Sequence, residues 1–190
     1  MIASVATEPS PRHTSNQNQS SIKEDTKPGV SATALVIGYG SPIRGDDAIG
    51  PLVADRLQQL ALPDWVRVEA RHILTAELAA DMARMARVIF LDAGVDLPPG
   101  ELRCQPLQPD TSALSSMAHF HDPRELLAWC QGLYGRVPEA WLITAGGAEF
   151  DYGHFRLSDT AAAAVQPMMQ AVLEQLGLHT PPAESALIGS

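Results

Sequence analysis

Two adjacent carboxylates, Asp46 and Asp47, stand in the stretch of the chain richest in residues able to do chemistry, Gly38-Tyr39-Gly40-Ser41-Pro42-Ile43-Arg44-Gly45-Asp46-Asp47-Ala48-Ile49-Gly50. Pro51 suits the first turn of a helix, so a regular helix should begin near Gly50 and leave Asp47 in the loop before it. Glycines in such a loop can let a phosphate approach the backbone at a helix N-terminus. Here the spacing is GxGxxxxG, no Lys-Ser or Lys-Thr follows, and two neighbouring acids repel a phosphate unless a metal intervenes. A purely structural alternative is that Asp46 and Asp47 favour the positive end of the helix.

A further acid, Asp92, follows the apolar run Val88-Ile89-Phe90-Leu91. An acid directly after a buried strand belongs at the same sheet edge as the first loop, so Asp47 and Asp92 can be neighbours in space. A buried carboxylate needs a cation, a donor or water; capping of the Ala93-Gly94 turn is the simpler role for Asp92. In the segment Ala118-His119-Phe120-His121-Asp122-Pro123-Arg124-Glu125, the order Asp-Pro-x-Glu reads as a helix start, with Asp122 as N-cap, Pro123 at the first position and Glu125 two residues on. His119 and His121 lie in the loop before it. Two carboxylates and one imidazole form a donor set suited to a divalent first-row metal, with a position left open for substrate. No Ser-His-Asp order and no HExxH helix occurs, which disfavours serine-protease and zincin chemistry.

The elements that must hold these groups follow from periodicity. The runs Ala34-Leu35-Val36-Ile37, Val88-Ile89-Phe90-Leu91 and Trp141-Leu142-Ile143-Thr144 have the length and continuity of strands buried on both faces, with Val66 to Val68 as a further candidate. Helical spacing joins Ile49, Leu52, Val53, Leu57 and Leu60; Leu74, Leu78 and Met82; Leu126, Leu127, Cys130, Leu133 and Tyr134; and Val165, Met168, Met169, Val172, Leu173 and Leu176. Pro106 suits residues 100–107 to an edge strand. The alternation predicts an α/β three-layer sandwich, a twisted and mostly parallel sheet with helices on both faces. Ligands of such sheets gather beyond the carboxyl ends of the strands.

Composition sets the outer bounds. Residues 1–32 are rich in Ser, Thr, Asn, Gln and Pro and are expected to be a disordered tail. Residues 33–178 should form one domain, and residues 179–190 a flexible tail. A net charge of -9 argues against nucleic acid as a partner. No apolar run reaches the roughly 18 residues of a membrane span, and no secretory signal opens the chain, so a cytoplasmic protein without membrane attachment is expected. Cys104 and Cys130 show no metal-site or disulfide spacing, and both are expected to be small buried hydrophobes.

Taken together, these segments resemble the hydrogenase maturation protease family. Its signature of a strand, a glycine-rich loop and Asp-Asp or Asp-Glu is matched over residues 36–50. One branch of the family, with a His-x-Leu-Thr-Pro-Glu-Leu run, is similar to residues 72–78 and the strand ending in Asp92. Its His-x-x-Asp-Pro-x-x-Leu-Leu segment is matched by His119, Asp122, Pro123, Leu126 and Leu127. Ser41 stands where the family usually has Asn, Ala76 replaces its proline, and His121 competes with His119. The resemblance implies an endopeptidase that removes the C-terminal extension of a nickel-loaded [NiFe]-hydrogenase large-subunit precursor. It also implies that Asp47, Asp92 and His119 contact the nickel held by the substrate. The alternative is an α/β module that binds a nucleotide or a metal without peptidase activity.

Overall fold

The apolar runs become strands because every second side chain meets a different helical layer. A computed structural model of the chain describes residues 33–110, 119–120 and 122–178. The tails expected at 1–32 and 179–190, and His121, lie outside the described residues. In order, the elements are β1 (Ala34–Tyr39), a 3-10 turn (Gly45–Ala48), α1 (Ile49–Gln58), β2 (Val66–Arg71), β3 (Leu74–Thr75), α2 (Leu78–Met82), β4 (Arg87–Gly94), β5 (Leu102–Leu107), β6 (His119–Phe120), α3 (Pro123–Tyr134), β7 (Glu139–Gly146) and α4 (Asp159–Gln175).

Five strands form one sheet in the order β2-β1-β4-β7-β5. All its pairs are parallel except β5 with β7. Val36, Ile89, Leu91 and Ile143 face α1 and α4, whereas Leu35, Ile37, Val88 and Phe90 face α2 and α3. This alternation with period two divides the core in two and gives the expected three layers. Pro106 sits on the edge strand β5, opposite Trp141, where its missing N–H leaves no gap inside the sheet.

Several local expectations are corrected. Leu74 is not the start of a helix: it lies in β3, which pairs antiparallel with β6, and α2 spans only Leu78–Met82. Three apolar residues at helical spacing satisfy burial in either state, and Leu74 is buried as a strand residue. Helix α1 ends at Gln58, so Leu60 is left exposed, as are Leu133 and Tyr134 at the end of α3. Cys130 is buried, but Cys104 is exposed on β5, where a strand at the sheet edge is covered by a neighbour on one side only. The Asp122 side chain does cap α3, accepting from the Arg124 amide at 2.8 Å, with Pro123 in the first turn. Among the described residues no helix is long and apolar enough to cross a membrane.

Candidate active site

The loop after β1 is folded back on itself by backbone contacts that only glycine permits. Gly40 has φ of 141°, and a Cβ there would lie 1.9 Å from the Asp47 carbonyl oxygen. The reversal lets the Ser41 amide donate to Asp47 Oδ2 at 2.9 Å. Gly50 brings the start of α1 against the end of β4, since a Cβ there would come within 2.4 Å of the Leu91 carbonyl oxygen. Asp47 thereby reaches the strand end that carries Asp92.

Asp92 lies inside β4 rather than after it, paired in register with Thr144. Leu91 faces α1 and α4, so the pleat turns Asp92 to the opposite face, the one on which Tyr39 packs edge-on against Phe90. Its Oδ1 accepts from the following amide, Ala93, at 2.8 Å, so the local turn role and a role in a site coexist. Burial pushes the Asp92 carboxyl up to about 6, and the Asp47 charge acts in the same sense; the Tyr39 hydroxyl and the Ala93 amide act against it. Burial, reinforced by Asp92, holds Tyr39 protonated well above the usual phenol range, which makes its hydroxyl a donor to Asp92.

Asp47 and Asp92 line one cavity of about 490 Å³, together with Tyr39, Arg44, His72 and Tyr152. A second cavity, of about 640 Å³, is also lined by Tyr39 and Asp92, together with Leu107 and Asp122. The backbone of His119 lies in β6 opposite Thr75, the residue after Leu74, and Leu74 is on the wall of the first cavity. Among the described residues no group of three His, Cys, Asp or Glu side chains is placed to hold a metal ion. The donor chemistry present is two oxygen ligands whose mutual repulsion a divalent cation would relieve.

Asp46 has a different task from its neighbour. It is fully buried, and its carboxylate accepts from the amides of Ala148 (2.7 Å), Glu149 (3.0 Å) and Ser158 (2.6 Å) and from the Ser158 hydroxyl (2.8 Å). Burial raises its carboxyl, but the four donors outweigh that and hold it below the usual carboxylate range. Ser158 is also the N-cap of α4, so Asp46 ties the first loop to the loop after β7. Backbone bonds from Gly45 to His154 and from Gly153 to Ile43 complete the stitch. It sets Tyr152 against Arg44, whose guanidinium carbon lies 5.2 Å from the ring centroid.

The loop bearing Tyr39 and Arg44 stands out in the sequence, but no local pattern gives either residue or His72 a role in the site, and none points to Phe150 or Tyr152. The available signal was topological: all loops at the carboxyl ends of parallel strands meet on one side of the sheet.

No family model and no curated protein matches the chain. Solved structures do. The chain is 32% identical to the hydrogenase 2 maturation peptidase from a Thaumarchaeota archaeon, with a TM-score of 0.60 over 77% of this chain and 99% of the other. Against the hydrogenase maturating endopeptidase HybD from E. coli the identity is 25% and the TM-score 0.63, covering 76% of this chain and 91% of that one. The [NiFe] hydrogenase maturation protease HycI from Thermococcus kodakarensis shares the fold, with 22% identity, a TM-score of 0.60, and 78% and 94% coverage. With nearly the whole of the archaeal peptidase matched at that identity, the chain belongs to the hydrogenase maturation protease family and is an endopeptidase.

Proposed function

We propose that the protein removes the C-terminal extension of a nickel-loaded [NiFe]-hydrogenase large-subunit precursor, and that Asp47, Asp92 and His119 contact the nickel that the substrate carries. The observation that carries this reading is the meeting of Asp47 and Asp92, from the loop after β1 and the end of β4, in one open cavity. Burial and mutual repulsion raise Asp92, and a cation between the two acids would remove that cost. The backbone of β6 beside the cavity supports His119 as the third ligand.

In this reading nickel is part of the substrate and serves as the sign of maturity. Held by Asp47, Asp92 and His119, it would supply Lewis-acid chemistry at the site. The chain's own residues hold and orient. The Ser41 amide fixes one oxygen of Asp47, and the Tyr39 hydroxyl and Ala93 amide fix Asp92. Both carboxylates are thus held in place before the substrate arrives, which lowers the ordering cost of binding. The reaction is assigned to the cytoplasm, which is consistent with two free cysteines and no disulfide among the described residues.

The test is to incubate the purified protein with nickel-loaded and nickel-free precursor and follow the mass of the large subunit. Trimming of the loaded form alone is expected; equal trimming of both would refute metal recognition. Asp47→Asn should abolish trimming while costing about 1 kcal/mol of stability or less, because an amide oxygen can still accept from Ser41.

A further inference from the structure

We propose that Arg44 is a substrate-positioning residue, which holds a backbone carbonyl oxygen of the precursor next to the bond being cut. The inference rests on the function proposed above and adds to it a contact with the polypeptide rather than with the metal.

Five other arginines of the described residues reach a carboxylate within hydrogen-bond distance. Arg124 approaches Asp122 to 2.6 Å, Arg103 approaches Asp96 to 2.7 Å, and Arg87 approaches Glu139 to 2.8 Å. Those are charge-assisted hydrogen bonds. Arg44 Nη1 stands 3.9 Å from Asp47 Oδ2, too far for one. Arg44 Nε is buried and has no hydrogen-bond partner among the described residues. Arg103 Nε is left alone in the same way, so what sets Arg44 apart is its exposed end: a half-exposed guanidinium on the wall of the acid-lined cavity, with Nη1 beyond hydrogen-bond distance of Asp47, is an unused binding group.

Its position is nonetheless fixed. Tyr152 lies under the guanidinium, and the backbone bonds Gly45 to His154 and Gly153 to Ile43 hold the two loops together on either side of that contact. A cation-π contact with the ring face uses none of the guanidinium N–H groups as hydrogen-bond donors to the ring's substituents, so those at its open end stay free to donate. The charge balance of the cavity narrows the ligand. Asp47 and Asp92 repel a free anion, so the acceptor that fits is a neutral one, and a peptide carbonyl is the acceptor a polypeptide substrate presents in number. Ile73, Val95 and Tyr152 are exposed around the same cavity and offer apolar contact to the residues flanking that carbonyl.

The test is steady-state cleavage of purified nickel-loaded precursor by wild-type protein, Arg44→Gln and Arg44→Lys. A contact made equally in the bound substrate and the transition state appears in KM, so Arg44→Gln should raise KM by about 10- to 100-fold with kcat within about twofold. Arg44→Lys should recover part of that loss. An unchanged KM overturns the proposal, whatever happens to kcat; a fall in kcat alone would mean that Arg44 acts through Asp47. If Arg44→Gln fails to fold, Tyr152→Ala decides: it should raise KM by about threefold through lost stacking, and an unchanged KM again overturns the idea. Failure of the wild-type protein to cleave any precursor would instead refute the function on which the inference rests.

Discussion

Replacing Asp46 separates the tasks of two adjacent acids, one buried against the loop after β7 and one lining the cavity. Four donors converge on its carboxylate: the amides of Ala148, Glu149 and Ser158 and the hydroxyl of Ser158. In Asp46→Ala the Ser158 hydroxyl can turn to Thr160, 3.0 Å away, but the three amides lose their acceptor. Each orphaned buried amide costs about 1 to 3 kcal/mol, so the loss should reach about 3 to 5 kcal/mol once water has partly relieved it. For Asp46→Asn the arrangement is instructive. Three donors meet Oδ2 and one meets Oδ1, so the new amide nitrogen takes the Oδ1 place and faces the Ser158 N–H, donor against donor. Loss of the charge and of that one bond should cost about 2 to 3 kcal/mol. For a domain of this size the alanine variant should melt roughly 6 to 20 °C below the wild type. Thermal melts and denaturant midpoints read this directly, with Asp47→Asn as the control. A melt for Asp46→Ala within about 1 kcal/mol of the wild type, coupled with lost processing, would refute the reasoning. Asp46 would then act in the chemistry.

Asp92 should show the opposite sign. Its folded value of about 6 lies above the ordinary 3.8, so the penalty for holding it charged is present above pH 6 and vanishes as pH falls towards 4. Asp92→Asn should therefore stabilise the metal-free protein by about 2 to 3 kcal/mol at neutral pH and by almost nothing near pH 4, while processing is lost; equal melts at neutral pH would contradict this. Gly50→Ala should destabilise by about 3 kcal/mol or more and depress processing, because its methyl group would meet backbone at Leu91 and Tyr39 rather than a movable side chain. Normal melting and cleavage by that variant would show that α1 can shift without cost.

Much of the frame was legible in the chain itself. Continuous apolar runs placed β1, β4 and β7, Asp122-Pro123-x-Glu125 placed the start of α3, and Pro106 marked an edge strand. What misled was short pattern. Leu74, Leu78 and Met82 satisfy a helical period, yet Leu74 is buried by pairing with β6, a partner 46 residues away. Cysteine type alone suggested burial for Cys104, and its place on the edge strand overruled it.

The acids of the site divide in the same way. Their presence where the apolar runs of β1 and β4 stop, and hence at one edge of the sheet, is local information, although β4 itself continues through Asp92 to Gly94. The sequence by itself therefore determined a parallel α/β frame with Asp47 and Asp92 on one rim. Only the tertiary structure decided that Asp46 turns inward to the loop after β7, that Tyr39 donates to Asp92, and that Arg44 lies over Tyr152. Those contacts join residues as much as 112 positions apart. Their partners are chosen by strand order and loop packing, which no local period encodes.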